Sequence, residues 1–206
     1  MEILKKTAFL SFIVFFSFFA KGQSFSNLQA AFSESYKLEY EKKFSEAVVV
    51  LQKNYKEDNY EINLRLGWLS YNAKNYTNAE MYYDKATQLK PYSIEAKLGL
   101  AKVLSASSKI NKLTNVYQSI LKIDVQNYTS NYWLGVIYYN QKRYELAIKY
   151  FEKIVNLYPF DFDANHMMGW TCYFLGRNND AKMLFQKALL NQPNDASCLE
   201  GLSLIK

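Results

Sequence analysis

The sequence predicts an all-α solenoid of helical hairpins. Three observations predict it: a 34-residue internal period, two bursts of helically spaced apolar residues within each period, and few helix-breaking residues. The chain has 206 residues, 50% apolar and 17% aromatic, with only 3 prolines and 7 glycines. That profile suits a folded, helix-rich protein and excludes a disordered one.

The period is visible in four residue types at once. Pro91, Pro159 and Pro193 are separated by 68 and 34 residues, and Gly67, Gly135 and Gly169 share that spacing. So do Ala79, Ala147 and Ala181, while an aromatic recurs every 34 residues at Tyr83, Tyr117, Phe151 and Phe185. The chain therefore parses into repeats at Tyr60–Ser93, Ile94–Asn127, Tyr128–Asp161 and Phe162–Asp195. Within one repeat, Tyr128–Gln141 and Tyr144–Leu157 read as two amphipathic helices joined by the short link Lys142-Arg143. Each repeat is a helical hairpin that cannot bury its apolar faces alone, so stability must come from stacked neighbours.

The elements follow in order. Residues 1–22 read as a secretory signal peptide: Lys5 and Lys6 precede the uncharged run Ala8–Ala20, and Ala20-Lys21-Gly22 offers small residues for cleavage before Gln23. An apolar run of thirteen residues falls short of the roughly 20 that span a bilayer as a helix. An uncleaved membrane anchor is the alternative reading. Residues 23–59 form a divergent N-terminal hairpin, Phe25–Lys43 with Ser45–Lys56, acting as a cap. The four repeats come next, the one at 94–127 degenerate. Residues 196–206 add a capping helix whose Leu199, Leu202 and Ile205 are expected to cover the last hairpin.

The repeats resemble the tetratricopeptide family, whose pattern places Trp, Leu-Gly, Tyr, Ala, Phe, Ala and Pro at positions 4, 7–8, 11, 20, 24, 27 and 32. Leu134-Gly135, Tyr138, Ala147, Phe151 and Pro159 match it, as do Leu66-Gly67, Ala79, Tyr83, Ala86 and Pro91. Met168-Gly169, Ala181, Phe185, Ala188 and Pro193 match again. Position 4 departs from it, with Asn63, Asn131 and Asn165 in place of Trp, and the degenerate repeat has Ala101, Leu113 and Val125 for Gly, Ala and Pro. The resemblance implies a right-handed α-α superhelix. Glycine at position 8 is expected to let paired helices approach, facing the small residue at position 20; proline at position 32 ends the second helix.

The resemblance also implies a partner-binding concave face built from positions 2, 5, 9, 12 and 13 of each first helix. Carried over, these are Leu64, Trp68, Tyr71 and Asn72, then Leu98 and Lys102. Tyr132, Val136, Tyr139 and Asn140 follow, then His166, Trp170, Tyr173 and Phe174. Such a surface is aromatic and almost uncharged. It suits a partner helix or extended segment rather than an acidic tail. Family members that clamp acidic C-termini carry Lys at position 5 and Asn at position 9. Here those positions hold Leu64 and Trp68, Tyr132 and Val136, or His166 and Trp170.

Little in the sequence supports catalysis. His166 is the single histidine, so no His pair can hold zinc; no nucleophile elbow and no phosphate-cradling glycine loop occur. Asp161, Asp163 and His166 straddle a helix start, where aspartate is favoured as a cap, so no metal and no cofactor are expected. Cys172 and Cys198 fall at positions 11 and 3 of neighbouring first helices, about 12 Å apart in level at 1.5 Å per residue, so both are expected as free buried thiols. Loss of three Lys and one Glu with the leader takes the net charge from +6 to +4, with no basic cluster for nucleic acid. The expectation is a non-enzymatic scaffold in the periplasm or cell envelope, or a secreted one, binding protein or peptide. A membrane-tethered scaffold or a helper subunit of an envelope enzyme is the alternative.

Overall fold

The computed structural model describes residues 25–205. The leader expected at residues 1–22 lies outside them. Among the described residues there are eleven helices and no strand. α1 occupies residues 25–40. It is followed by α2 (Phe44–Gln52), α3 (Tyr60–Asn72), α4 (Tyr76–Leu89), α5 (Ile94–Ala106) and α6 (Ile110–Leu121). Then come α7 (Tyr128–Asn140), α8 (Tyr144–Leu157), α9 (Phe162–Phe174), α10 (Asn178–Asn191) and α11 (Ala196–Leu204). The chain divides into two compact units, Met1–Val103 and Leu104–Lys206. The fold is an all-α solenoid of helical hairpins.

In the first unit, Ala31 and Leu38 of α1 and Ala47 and Leu51 of α2 bury against Ile62, Leu66 and Leu69 of α3. The first hairpin is shorter than its sequence suggests. α1 stops at residue 40 because Lys42 turns to φ 60°, and α2 has only nine residues. In the second unit the core joins Ile148 of α8, Cys172 of α9, and Leu184, Phe185 and Ala188 of α10 with Cys198 of α11. Leu202 and Ile205 pack against that cluster, as expected of a capping helix. Leu199 does not: it is 49% exposed, because α11 turns that side of its first turn to solvent.

Local chemistry repeats with the period. Asn59, Asn127, Asp161 and Asp195, 34 residues apart or a multiple of it, each accept a hydrogen bond from the N–H three residues on. Ser93 does the same for Ala96. Each cap contributes about 1 kcal/mol by satisfying an orphan donor of a first helix. Between the helices of a hairpin the chain reverses through one left-handed residue: Lys74, Ser108, Lys142 and Gly176, with φ of 61°, 55°, 58° and 74°. Only the last of these is the residue type that adopts such a conformation without steric penalty.

The prolines act as expected. α4, α8 and α10 end at Leu89, Leu157 and Asn191, and Lys90, Tyr158 and Gln192 leave helical geometry immediately before Pro91, Pro159 and Pro193. In the degenerate repeat Val125 replaces proline. There α6 ends two residues earlier in register, at Leu121, and the next residue, Lys122, keeps helical angles.

The glycines meet a different neighbour from the one the resemblance implies. A Cβ added at Gly67 would lie 2.9 Å from the Tyr83 ring; at Gly135 it would meet Phe151 at 2.6 Å, and at Gly169 Phe185 at 2.8 Å. The aromatic at position 24, not the alanine at position 20, therefore occupies the space that glycine vacates. The same ring is pressed from the following hairpin: Gly99 would bring a Cβ to 2.1 Å from Tyr83, and Gly201 to 2.5 Å from Phe185. Each of these two rings sits between a pair of glycines on successive first helices.

Candidate functional site

Two separate helix faces carry the side chains assigned above to partner binding. In the first unit, Leu64, Trp68, Tyr71 and Asn72 of α3 and Leu98 of α5 are half-buried, and Lys102 is exposed. Trp68 stacks on Tyr71 at 6.5 Å, Tyr71 meets Tyr76 at 5.8 Å, and the Lys102 ammonium lies 5.4 Å from the Trp68 ring centre. Asn72 is turned back on its own helix, where its amide donates to the Trp68 carbonyl at 2.8 Å.

Trp68 is less free than an open groove residue. Its indole N–H donates to Glu39 of α1 at 2.6 Å. Glu39 also pairs with Arg65, whose guanidinium lies 3.8 Å from the Tyr36 ring centre and whose Nε donates to Ser35 Oγ at 3.2 Å. Arg65 is 8% exposed and lies among the apolar positions Ile62, Leu66 and Leu69, a charge in the buried stripe that the 34-residue pattern does not explain. The pair holds a charge out of water only because Glu39 neutralises it.

In the second unit, α7 offers Tyr132, Val136, Tyr139 and Asn140, and α9 offers His166, Trp170, Tyr173 and Phe174. Phe174 is the centre of this face. It is 48% exposed, stacks on Tyr144 at 5.0 Å, and meets Tyr173, Tyr139 and Trp170 at 5.4, 5.9 and 6.1 Å. Tyr144, at the start of α8, is a member that position-by-position transfer missed; it stands four residues after Asn140 and across the turn from Tyr139. Trp170 packs edge-on against the buried Phe185 ring at 5.2 Å and donates to Ser197 Oγ at 2.9 Å, so much of it belongs to the core. Tyr132 is likewise shared, edge-on to Phe151 at 6.1 Å. Burial raises the pKa of both Tyr132 and Tyr139.

Position 4 has a structural role. Asn63, Asn131 and Asn165 are buried, and each amide nitrogen donates to two carbonyls: that of the N-cap residue and that of the residue two before it. The side chain thus ties the inter-repeat loop to the first helix. Tyr55 donates to Asn63 Oδ1 at 3.2 Å, whereas the Oδ1 atoms of Asn131 and Asn165 have no partner among the described residues.

The acidic residues near His166 divide. Asp161 is engaged by the Tyr128 hydroxyl at 3.0 and 3.1 Å as well as by its cap, and burial followed by the Asp161 charge raises the Tyr128 pKa. Asp163 is exposed. His166 instead groups with Asp195, the N-cap of α11, and Cys198 within it: one ligand atom each of His166, Asp195 and Cys198 lies within 4.8 Å of the others. Its ring stacks on Phe162 at 5.6 Å and its Nε2 lies 2.8 Å from Ser197 Oγ. Cys172 and Cys198 are both free and buried. A shallow concavity of roughly 540 Å³ lies elsewhere, against the loop Tyr158–Asp163 and Asn191. No described helix is long and apolar enough to cross a membrane.

Successive helical hairpins presenting aromatic, nearly uncharged faces define a helical-repeat interaction module. Models of the tetratricopeptide repeat match residues 129–161 and, in a second form, residues 60–93 and 162–195. The chain is a tetratricopeptide-repeat protein. It is 33% identical over 76 residues to mouse interferon-induced protein with tetratricopeptide repeats 3, covering 33% of this chain and 19% of that protein's length. Among solved structures it is similar to MamA, with a TM-score of 0.72 and 21% identity over 82% of this chain and 94% of the other. A tetratricopeptide repeat protein from Parabacteroides merdae gives a TM-score of 0.75 at 17% identity, covering 86% and 72% of the two chains. YrrB, described as a tetratricopeptide protein with an unusual peptide-binding site, gives 0.70 at 16% identity over 82% and 89%. At these identities the likeness is one of fold.

Proposed function

We propose that this protein is a non-enzymatic scaffold of the bacterial cell envelope that seats a helix or extended segment of a partner protein on its aromatic helix faces. Protein–protein interaction is what tetratricopeptide repeats provide, and the faces of α7 and α9 supply the chemistry here. The observation that carries the reading is Phe174: a large ring that touches four other aromatics yet remains half in solvent. Each large aromatic carries about 150–250 Å², so the exposed half of Phe174 together with the partly exposed rings around it approaches the few-hundred-Å² patch that marks an interaction site. The likeness to YrrB supports peptide as the kind of ligand.

The test is capture of partner from an envelope extract by the wild-type chain and by Phe174→Ser with Tyr139→Ser. These two substitutions remove the exposed Phe174 ring and the half-buried Tyr139 ring without touching the indole N–H groups that hold Glu39 and Ser197, as Trp68→Ala and Trp170→Ala would. Capture is lost in the double variant while helicity is retained; full capture would refute the role of this face.

Export is part of the proposal and rests on the residue 1–22 pattern of charge, apolar run and small residues. Sequencing the mature N-terminus tests it. A start at Gln23 supports a processed, soluble scaffold, whereas an intact Met1 in the membrane fraction supports the tethered form.

A further inference from the structure

We propose that His166, Asp195 and Cys198 form a zinc site that pins α11 to α9 at the end of the second unit. The juxtaposition is made by the fold. His166 stands near the start of α9, Asp195 caps α11 and Cys198 follows three residues later, so one neutral nitrogen, one carboxylate oxygen and one sulfur converge from two helices. Their ligand atoms lie within 4.8 Å of one another. In a tetrahedral zinc centre, with bonds of about 2.0–2.3 Å, ligand atoms stand roughly 3.3–3.7 Å apart, so the three need to close by about 1 Å. His166 and Asp195 are half-buried, while Cys198 is fixed in the core.

The donor set selects the metal. Calcium and magnesium require oxygen ligands, and this site offers one carboxylate. Thiolate with imidazole and carboxylate suits zinc, which in three-ligand sites leaves a fourth position for water or an incoming side chain. The surroundings supply what a ligating histidine needs. A metal on Nδ1 leaves Nε2 on Ser197 Oγ, which also accepts from the Trp170 N–H, so the ring is oriented by a fixed second partner. Asp195 uses Oδ1 to cap the Cys198 N–H, leaving its other oxygen for the cation. Binding replaces a proton: Cys198 enters as a thiol and ligates as a thiolate, the proton passing to solvent. Burial, then hydrogen bonding to Asp195, pushes that thiol up to about 12, so the cation must drive the deprotonation.

The experiment titrates the full chain, kept reduced, with Zn²⁺ by calorimetry and with Co²⁺ as a spectroscopic probe. One Zn²⁺ per chain is expected, with a thiolate-to-cobalt charge-transfer band and tetrahedral d–d absorption. Cys198→Ala abolishes the charge-transfer band, and Cys172→Ala retains it. His166→Gln and Asp195→Asn each weaken Zn²⁺ binding at least about tenfold, the smaller end of what disrupting even a supporting partner costs. Asp195→Asn is the decisive variant because asparagine caps a helix as well as aspartate does, so its fold is kept. Absence of stoichiometric Zn²⁺ binding, a Co²⁺ spectrum without the thiolate band, or unchanged affinity in both His166→Gln and Asp195→Asn would each overturn the proposal.

Discussion

Replacing Gly169 by alanine tests the packing rule on which the repeat depends. An added Cβ would stand 2.8 Å from two ring carbons of Phe185, where ordinary contact begins near 3.4 Å. The ring cannot retreat. Phe185 is fully buried, Gly201 already confines its other side, where a Cβ would come to 2.5 Å, and Trp170 packs against it at 5.2 Å. Alanine in a helix interior is worth about 1 kcal/mol over glycine, and overpacking a core costs about 1–3 kcal/mol. The second term wins, for a net loss of about 1 kcal/mol, or a fall of roughly 4–8 °C in Tm for a unit of this size. Urea melts followed by far-UV circular dichroism measure it. Repeating them in a Phe185→Leu background adds a control: with the ring gone the penalty should shrink, giving a coupling of about 0.5–3 kcal/mol. If Gly169→Ala were stabilising by the full helix-propensity gain, or equally costly in both backgrounds, the glycine–aromatic lock would be wrong.

Other positions test other parts of the account. Lys142→Gly should stabilise the chain by up to about 1 kcal/mol, because φ at that residue is 58°, whereas Gly176→Ala at φ 74° should cost about 1–2 kcal/mol although no atom lies within 4 Å of the new methyl; thermal melts distinguish the two. Asn165→Ala should destabilise by about 1–3 kcal/mol, since it strands the Pro159 and Asp161 carbonyls in the inter-repeat loop; a change below a few tenths would show that the loop holds itself. At high pH, burial holds the Tyr117 pKa at about 12 and raises those of Tyr83 and Tyr128 as well. The folded state therefore keeps protons that the unfolded chain loses from about pH 10, and stability should fall as pH rises from there through about 12. Ultraviolet titration should show these tyrosinates appearing only with loss of helicity; early ionisation of all tyrosines would contradict their burial.

Much of the fold was legible because the period repeats rigid chemistry. Prolines at one register ended three second helices at one place. What glycine faces was not legible, since spacing shows that a residue is small but not which ring fills the vacancy. The asparagines at position 4 looked like departures from a pattern. They are loop clamps, a role that depends on carbonyls four and six residues back and leaves no apolar signature. Most rings of the aromatic faces follow from the repeat register, Tyr144 excepted, but the division of each ring between core and solvent does not. Trp170 and Phe174 stand four apart on one helix, yet one is bound to Phe185 and Ser197 while the other is half exposed. The cluster of His166 with Asp195 and Cys198 escaped local reading because its members come from two helices about thirty residues apart in sequence.

Site-specific photo-crosslinking in the native host tests the central claim most directly. A photoreactive phenylalanine analogue would replace Phe174 or Tyr139 on the aromatic face, or Met183, which is 48% exposed on α10. The account predicts one discrete crosslinked partner from Phe174 and Tyr139 and none from Met183. Crosslinks to that partner from Met183, with Phe174 and Tyr139 silent, would contradict it.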